Sequence, residues 1–418
     1  MRSRSFLAVI TTACLTASLA AAIGVASPAS AAPCGNKGIF GSSLAFGSSF
    51  GGLLGSRSDQ KPLPRISTGT SRTIGWVTGA LSNNRTDTRF GISGTDLGIS
   101  WNNGSGQTLM AFGDTYGDCN APGQQWRHNT IMRTTDTDPD NGLVIGPGIP
   151  GDIRSGASVS AAAPRRASEA VGSPGVPGVA ITSIPTAAIA INGIQFMNYM
   201  SVRSWGAAGR WVTNYSAIAV SRDNGQTWTT APNTVRPNLP APSPGARVVD
   251  DSNGKFQQSA YVDGRDGFIY QYGTPNGRFG AAFLARFRPA DILDLGKYEY
   301  FTGDRTTPWS PDKTKSNSVV REPVGELSVA WNARIGRFIM LTGDENRGSI
   351  TLRTSRTPQG PWSGPTTLLT SQQLSGVYAP YIYAGTSPDS PYLYFTASRW
   401  QDYNVMMMRT DLSLIRVP

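Results

Sequence analysis

Two aspartates, Asp96 and Asp114, stand eighteen positions apart on either side of one short turn. An apolar segment lies on each side of the Asn/Gly turn at residues 102–106. A hairpin folded at that turn brings the two carboxyl groups opposite each other. Two carboxylates held together in this way can cleave a glycosidic bond, one as an acid and the other as a base or nucleophile. Aspartates at such positions also stabilise turns without any chemistry, so the pattern alone leaves both interpretations open.

The elements that must position this pair are β-strands throughout. Short runs of alternating apolar and polar residues are bounded by Gly, Asn, Asp and Pro, which is typical of strands and turns. The runs group into five units of roughly 45 to 60 residues. This period predicts an all-β protein, a five-bladed β-propeller, in which the segment Thr73 to Thr78 supplies the strand that closes the ring. A β-sandwich of the same length is the alternative. The five units are 96–142, 186–228, 256–303, 325–369 and 377–414.

Residues 1–31 are predicted to be a secretory signal. Arg2 and Arg4 precede a long apolar stretch, and small residues at 29–31 offer a cleavage site. The alternative, a membrane anchor, is disfavoured by the Thr and Ser residues within the stretch, and no later segment approaches the length of a membrane span. We therefore expect the protein to be secreted, either extracellular or in the cell envelope.

Two further segments stand out by composition. Residues 32–66 are rich in Gly and Ser, which predicts a flexible N-terminal tether or an extended strap before the propeller domain at 67–418. Embedded Phe and Leu residues indicate that part of this tether packs on the domain. Residues 146–178 are rich in Pro, Ser, Ala and Gly, which predicts a long surface loop.

Charge and rare residue types narrow the function classes. Without residues 1–31, which hold two Arg and no acidic residue, the chain has 35 basic and 27 acidic residues and a net charge of +8. Such a surface is attracted to an anionic envelope or polymer, but the basic residues are scattered, which excludes a typical nucleic-acid partner. His128 is the only histidine, so a multi-histidine metal site is excluded and no cofactor is expected. Cys34 and Cys119 remain after removal of the signal and are predicted to form a disulfide, with two free thiols as the alternative.

The propeller topology predicts which residues join the aspartates. The loops before each innermost strand and after each second strand share one face, so Asp96 and Asp114 point to the same mouth of the first blade. Aromatic rings on that face stack on sugars, and polar side chains bond to hydroxyl groups. For each aromatic residue the alternative is packing between blades, and for the third carboxylate, Glu326, it is a bond to a neighbouring backbone. The candidate substrate-binding residues are Trp126, Arg127, His128, Asn129, Trp205, Gln258, Arg278, Glu326 and Tyr378.

These residues together resemble a known family. The resemblance spans about residues 75 to 415, and the order and spacing of its motifs carry it. The family is the domain-of-unknown-function family 4185, now glycoside hydrolase family 183, the endo-D-arabinanases of bacteria that make or degrade mycobacterial arabinan. The motifs are Gly-Thr-Asp-Leu-Gly at 94–98, Phe-Gly-Asp-Thr at 112–115, Arg-His-Asn at 127–129, Ser-Val-Arg-Ser-Trp-Gly at 201–206, Gly-Thr-Pro at 273–275 with Gly-Arg at 277–278, and Gly-Glu-Leu-Ser at 325–328.

The resemblance implies a five-bladed propeller whose catalytic pair corresponds to Asp96 and Asp114. It implies a substrate too, the D-arabinofuranose polymer of arabinogalactan and lipoarabinomannan. The segment 146–178 departs from the family's minimal pattern and is expected to reshape the cleft. A spacing of about 5 Å across the hairpin favours a retaining mechanism, whereas splayed side chains give the larger inverting gap, and both stay open.

Two other functions fit parts of the pattern. One is a carbohydrate-binding propeller without catalysis, attached to the envelope by charge and aromatic residues. The other is a sialidase-like or L-arabinan-cleaving propeller. A sialidase needs an Arg cluster, and the Arg residues here do not fall at equivalent positions of the blades. The cluster Asp136, Asp138 and Asp140 favours a turn built from side-chain-to-backbone bonds over a calcium loop.

Overall fold

The computed structural model describes residues 60–238 and 251–417. Strands dominate these residues, and the short helices connect them. In chain order the strands are β1 (Ser71–Trp76); β2 (Leu97–Asn102), β3 (Thr108–Phe112) and β4 (Thr130–Thr134) of the first blade; β5 (Val159–Ser160) and β6 (Ala163–Ala167) of the segment that follows; β7 (Thr182–Ile191), β8 (Ile194–Trp205), β9 (Trp211–Ser221) and β10 (Thr229–Pro237) of the second blade; β11 (Gln258–Asp263), β12 (Ile269–Thr274), β13 (Gly280–Phe287), β14 (Glu299–Phe301), β15 (Trp309–Ser310) and β16 (Ser318–Val324) of the third; β17 (Leu327–Asn332), β18 (Arg337–Asp344), β19 (Ser349–Ser355) and β20 (Thr366–Thr370) of the fourth; and β21 (Val377–Ile382), β22 (Tyr392–Arg399) and β23 (Asn404–Asp411) of the fifth.

The helical elements are single turns at the ends of strands and in loops. The α-helix α1 (Thr86–Arg89) precedes the first blade. The 3₁₀ turns are Pro122–Gln125, Pro139–Asn141, Asp251–Phe256, Pro289–Asp291, Leu295–Lys297, Lys313–Lys315 and Leu412–Leu414.

The ring closes through the first strand of the described chain. The fifth sheet has the order β1-β23-β22-β21, so an N-terminal strand completes the C-terminal blade. Its register runs from Ser71 opposite Thr410 to Trp76 opposite Met406, and a buried 2.6 Å bond joins the hydroxyls of Ser71 and Thr410. The predicted five-bladed propeller with an N-terminal closing strand is therefore confirmed.

The core lies between the blades, because each sheet has two faces that need cover. Ile99 and Trp101 of β2 pack in one cluster with Met197 and Tyr199 of β8 and with Tyr381 of β21. The buried indole N–H of Trp101 donates to Gln195 Oε1 at 2.9 Å. The first, second and fifth blades thus share one apolar cluster, and this fixes the innermost strands whose ends carry the site.

The first blade has only three paired strands, and the segment 146–178 completes it. Ala157 bridges to Met132 and Glu169 bridges to Thr130 of β4, and Ala157 is fully buried. A Cβ on Gly156 would lie 2.0 Å from the carbonyl oxygen of residue 146. The prediction of a long surface loop is therefore only partly right, because the small residues permit close packing against the blade.

The start of the described chain packs on the propeller. The amide of the buried Gln60 donates to the Thr78 carbonyl at 2.9 Å, and the Lys61 N–H donates to Asp402 at 2.7 Å. Leu63 and Ile66 add to the apolar cluster of the last two blades. The predicted signal and the rest of the predicted tether, residues 1–59, lie outside the described residues. Within the part that is described, no helix is long and apolar enough to cross a membrane.

Candidate active site

A bulge at the start of β2 places Asp96. Leu97 has a φ of 73° and Gly98 a φ of 86°, and the register shifts between Leu97 and Ile99. A buried leucine in this conformation costs about 1–3 kcal/mol, which neighbouring contacts must offset. The fifth blade supplies them: the Leu97 N–H donates to Ser398 Oγ at 2.8 Å and Thr396 Oγ1 donates to the Gly98 carbonyl at 3.1 Å.

Gly113 provides the space that Asp96 occupies. Its N–H donates to the Asp96 carbonyl at 3.2 Å, and a Cβ at this position would lie 2.3 Å from Asp96 Oδ1. The bulge therefore places Asp96 across from Gly113, one residue before Asp114, rather than directly opposite Asp114 as the simple hairpin predicted.

The carboxyl group of Asp96 has one neutral hydrogen-bond donor. The Tyr378 hydroxyl donates to Oδ2 at 2.9 Å, whereas Oδ1 is buried without a partner among the described residues. Burial raises the pKa of Asp96 to about 7, and the nearby charges of Asp114 and Glu326 add to the rise. The bond from Tyr378 and the charge of Arg278 oppose it.

Asp114 follows β3 and is 9% exposed. Its Oδ1 accepts two hydrogen bonds, from the Thr182 hydroxyl at 2.7 Å and from the Trp126 indole N–H at 3.0 Å. Burial raises the pKa of Asp114 to about 7, the two bonds oppose the rise, and the Glu169 carboxylate adds to it. Among residues 60–238 and 251–417, the salt bridges include neither aspartate.

This environment suits acid–base chemistry. A carboxyl group whose pKa lies near 7 holds a proton at neutral pH and can donate it. Since Asp114 raises the pKa of Asp96, ionisation of one disfavours ionisation of the other. The pair can therefore present one acid and one carboxylate at the same time, as hydrolysis of a glycosidic bond requires.

Glu326 has a different setting on the same face. It is 7% exposed and accepts three hydrogen bonds of 2.9–3.0 Å from Arg278. Arg278 also bonds to Glu345 at 3.1 Å and lies 4.9 Å from the ring centre of Tyr378. Gln258 donates to the carbonyls of Pro275 and Gly277, and so holds the turn before Arg278. Glu326 is thus engaged by a cation that touches the ring beside Asp96.

Aromatic side chains surround the two aspartates. Tyr116 and Tyr403 pack edge to face at 5.6 Å, and the partly buried Trp126 packs against both. Trp400 is 40% exposed and lies 6.1 Å from Tyr378. Such rings exclude water and offer apolar faces for sugar rings.

Trp205 occupies a more distant position. It is 36% exposed and packs edge to face with Trp211 at 5.8 Å. Trp211 in turn lies 5.8 Å from the Arg278 guanidinium. Trp205 therefore stands at the rim beyond the Arg278 network, where it can meet a long substrate but not the aspartates.

Arg127 and Asn129 are directed into the protein. The Arg127 guanidinium donates to the carbonyls of Ala167 and Gly91, and burial lowers its pKa to about 9. The fully buried Asn129 bonds to the backbone at Val171 with both its oxygen and its nitrogen. Both residues fasten the segment 146–178 to the first blade, so the structure does not bring them to the substrate face.

His128 lies one side chain away from Asp114. Its Nδ1 lies 3.2 Å from Thr182 Oγ1, whose hydroxyl bonds to Asp114. Its Nε2 lies 3.2 Å from the Ser173 carbonyl, and its ring packs edge to face on Trp126 at 4.6 Å. His128 is 7% exposed, so it reaches the aspartate pair through Thr182 and does not lie on the substrate face.

The predicted turn at Asp136, Asp138 and Asp140 forms as expected. Asp136 Oδ1 accepts the N–H of Asp138 at 2.9 Å, and Asp138 Oδ1 accepts that of Asp140 at 3.3 Å. Asp140 pairs with Arg72 and Arg409. No cluster of potential metal ligands is found among the described residues. Cys119 is part of a disulfide; its predicted partner, Cys34, lies outside the described residues, so that pairing stays a prediction.

Sequence reasoning missed several residues around the pair. Thr182 starts β7, four residues before the predicted start at Thr186, because Pro185 interrupts the strand pattern and causes a register shift. Trp400 and Tyr403 follow β22, the second strand of the fifth blade. The rule that placed Asp114, a loop after a second strand, would have found both.

The fold and its paired carboxyl groups define a class: a five-bladed β-propeller with a two-carboxylate site at one mouth of its axis. Residues 81–409 match the family described as Domain of unknown function (DUF4185). The chain belongs to that family. The comparison with curated proteins found no match.

Solved structures share the architecture at low sequence identity. A putative hydrolase from Bacteroides ovatus ATCC 8483 is 16% identical, with a TM-score of 0.50 over 78% of this chain and 87% of that chain. Zg3597, a family 117 glycoside hydrolase of Zobellia galactanivorans, is 14% identical, with a TM-score of 0.46 over 84% and 92%. The Bacillus subtilis arabinanase Arb43A is 10% identical, with a TM-score of 0.40 over 76% and 96%. At 16% identity, the similarity to the Bacteroides ovatus structure shows a shared fold and nothing more.

Proposed function

We propose that this protein is a secreted glycoside hydrolase that cleaves D-arabinofuranosyl linkages inside cell-wall arabinan, as an endo-D-arabinanase of glycoside hydrolase family 183. One observation carries the proposal: Asp96 and Asp114 are buried side by side, have no cationic partner among the described residues, and each has a pKa of about 7. A structural carboxylate is normally paired or exposed. A pair kept in this state matches the demand for one acid and one base or nucleophile.

The substrate class rests on the family resemblance and on the mouth of the axis. The motifs that resemble the family lie at the aspartates, at Arg278 and at Glu326. The exposed Trp400 lies beside Tyr378 at the site, and the exposed Trp205 lies farther away, so the two rings could contact a long chain at separate points. The predicted export signal and the net charge of +8 favour an anionic cell envelope as the place of action.

The reaction follows from the chemistry of the pair. One aspartic acid protonates the leaving oxygen as the bond to the anomeric carbon breaks, and the other carboxylate either attacks that carbon or activates a water molecule. The surrounding rings exclude bulk water, which strengthens the effect of the carboxylate on the developing positive charge. The anomeric configuration of the first product, read by proton NMR, distinguishes retention from inversion.

The test is incubation of the purified protein with arabinogalactan and lipoarabinomannan, followed by sizing of the products. We expect oligosaccharides of intermediate length, and loss of about 10⁴-fold or more in rate for Asp96→Asn and for Asp114→Asn. The matched control is Asp263→Asn, an exposed carboxylate at the other end of an innermost strand, which should retain full activity. Unchanged release of product by both site variants would refute the assignment.

The alternative is a carbohydrate-binding propeller without catalysis, favoured by the exposed Trp205 and Trp400. The same incubation separates the two functions. Binding of arabinan to the protein with no new reducing ends after long incubation would favour the alternative, whereas product release that depends on Asp96 and Asp114 excludes it.

A further inference from the structure

His128, Thr182 and Asp114 form a continuous hydrogen-bonded row. Thr182 Oγ1 lies 2.7 Å from Asp114 Oδ1 and 3.2 Å from His128 Nδ1. On the other side of the imidazole, Nε2 lies 3.2 Å from the Ser173 carbonyl. All three side chains of the row are buried: Thr182 is fully buried, and His128 and Asp114 are 7% and 9% exposed.

The contacts of this row restrict which of its atoms can carry a hydrogen. A carbonyl oxygen only accepts, so Nε2 of His128 carries a hydrogen towards Ser173. Nδ1 then accepts when the ring is neutral and donates only when the ring is charged. Thr182 has a single hydroxyl hydrogen, and it can give this hydrogen either to Nδ1 or to Asp114, but not to both.

Only two arrangements satisfy every contact and also give the Thr182 hydrogen an acceptor within the row. In the first, Asp114 is protonated and donates to Thr182, which donates to the neutral His128. In the second, the charged His128 donates to Thr182, which donates to the Asp114 carboxylate. Both arrangements contain one proton, and two hops through Thr182 convert one into the other: Nδ1–H to Oγ1, and Oγ1–H to Oδ1. With no proton, one of the two contacts faces two lone pairs. With two protons, Thr182 accepts from both neighbours and its own hydrogen has no acceptor within the row.

We propose that His128 and Asp114 share one proton through the Thr182 hydroxyl, and that His128 thereby acts as a positioning residue that keeps Asp114 supplied with the proton it donates. This inference rests on the proposed function for its catalytic meaning, but the shared proton is a property of the free protein. It assigns the acid role to Asp114 and leaves Asp96 as the carboxylate of the pair.

The surroundings of the row favour the neutral arrangement. Burial lowers the pKa of His128 and raises that of Asp114, so the proton rests on Asp114. The Glu169 carboxylate lies 4.0 Å from Nε2, and its side chain is 33% exposed, so this neighbour of the imidazole is in contact with solvent.

The other charged and titratable groups near the row are few. Asp96 interacts with Asp114 across the pair, and the hydroxyl of Tyr116 faces both aspartates, which helps to raise its pKa. Arg127 is next to His128 in the chain, but its guanidinium bonds to backbone carbonyls on the far side. β7 adds Thr182 and no ionisable group at this end. Among the residues that the structure describes, no cation therefore faces the row in a way that would hold Asp114 ionised.

The test uses the single histidine of the chain, because its imidazole nitrogens give the only histidine signals in a ¹⁵N NMR spectrum. In the wild type we expect the Nε2–H form at neutral pH, and a step in the Nδ1 shift near pH 7, where Asp114 ionises and Thr182 turns its hydrogen away from His128. The step should vanish in Thr182→Val and in Asp114→Asn, and return in Thr182→Ser.

The matched control is Thr186→Val, the same substitution on the same strand, where the hydroxyl bonds to Asn198 at 2.9 Å instead. It should leave the step unchanged. An Nδ1–H form at neutral pH, or a step that persists in Thr182→Val with the fold intact by circular dichroism, would overturn the proposal.

The pH profile of hydrolysis provides the second measurement. Thr182→Val removes a bond that lowers the pKa of Asp114, so the alkaline limb of kcat should move upwards by about one pH unit, and Thr182→Ser should restore it. A merely structural Thr182 would lower kcat without moving the limb, which would count against the relay. If the protein hydrolyses no arabinan, the proposed function fails, and the NMR step still decides whether the proton is shared.

Discussion

Two groups of carboxylates face the same mouth of the propeller axis in opposite surroundings. Asp96 and Asp114 lie among aromatic rings, and their side-chain hydrogen-bond partners among the described residues are all neutral: a tyrosine, a tryptophan and a threonine. Glu326, similarly buried, is held by three bonds from Arg278. The two groups therefore differ in whether a cation is present. Without a cation, burial raises the pKa of a carboxyl group towards neutrality. Beside Glu326, the guanidinium of Arg278 balances the negative charge of the carboxylate.

The paired group is suited to positioning. Arg278 bonds to Glu326 on one side and to Glu345 on the other, and packs on the ring of Tyr378. That ring carries the hydroxyl that bonds to Asp96. The salt-bridge network thus helps to fix the orientation of the Asp96 carboxyl group through Tyr378.

The largest effect that tests this contrast is the loss of the cation. Arg278→Met leaves the buried carboxylate of Glu326 without its cationic partner, and the partly exposed Glu345 loses its partner as well. This substitution should cost about 3–5 kcal/mol of unfolding free energy. It also removes a charge that lowers the pKa of Asp96, so that pKa should rise further. Chemical denaturation monitored by tryptophan fluorescence measures the stability change.

Two variants act as controls for the charge. The double variant Arg278→Met with Glu326→Gln removes the buried unpaired charge and should recover part of the stability. Arg278→Lys keeps the charge but not the planar fork, so its loss should be intermediate. An Arg278→Met protein as stable as the wild type would mean that the network does not hold this face together.

The second test concerns space rather than charge, and two glycines make it a matched pair. Gly113 donates to the carbonyl of Asp96 at 3.2 Å and Gly343 donates to that of Glu326 at 3.3 Å. An added Cβ would lie 2.3 Å from Asp96 Oδ1 at the first position and meet nothing within 4 Å at the second. Gly113→Ala should displace the Asp96 carboxylate and lower kcat about 10- to 100-fold.

Gly343→Ala serves as the control, because it adds the same methyl group beside the other carboxylate. It should leave kcat within about twofold of the wild type. Equal losses in the two variants would indicate a general disturbance of the strand ends and not the displacement of Asp96.

The sequence predicted the architecture because every blade repeats the same pattern of strand and turn. It predicted that Asp96 and Asp114 lie close together, because topology alone places the start of an innermost strand and the end of the second strand at one mouth. It did not predict the bulge at Leu97, whose φ of 73° depends on contacts with the fifth blade, three hundred residues away.

The sequence also did not predict which polar residues near the aspartates reach them and which hold the backbone instead. Arg127, His128 and Asn129 are consecutive and polar, yet one bonds to distant carbonyls, one reaches Asp114 through Thr182, and one holds the backbone at Val171. Alternation on a strand tells which side of the sheet a residue faces, but the segment that covers that side decides its role.

The third test uses stability against pH. Burial raises the pKa of Asp96 from 3.8 to about 7, so between those values the folded state holds a proton that the unfolded state has lost. Stability is therefore lost as pH rises towards 7. Asp96→Asn removes this loss: its unfolding free energy should match the wild type near pH 3.5 and exceed it by about 4 kcal/mol at pH 8.

Glu326→Gln is the counterpart on the paired side. It leaves Arg278 with one carboxylate fewer, so it should destabilise the protein at pH 8 instead of stabilising it. Thermal unfolding at both pH values measures the two variants together. If both variants change stability in the same direction at pH 8, the two carboxylates do not differ in the way the structure indicates.

The smallest effect concerns the hydroxyl that links the two groups. Tyr378→Phe removes the 2.9 Å bond to Asp96 Oδ2. Because this bond lowers the pKa of the Asp96 carboxyl group, its removal should raise that pKa. The stability cost should be about 1 kcal/mol or less. Since Asp96 then ionises at higher pH, the acid limb of kcat should move upwards by about half a pH unit. Tyr199→Phe is the control, because its hydroxyl bonds to Thr230 at 2.8 Å in the second blade. Tyr378→Phe keeps the aromatic ring and removes only the hydroxyl that bonds to Asp96. An unmoved acid limb would therefore mean that the carboxylate whose ionisation sets this limb is not Asp96.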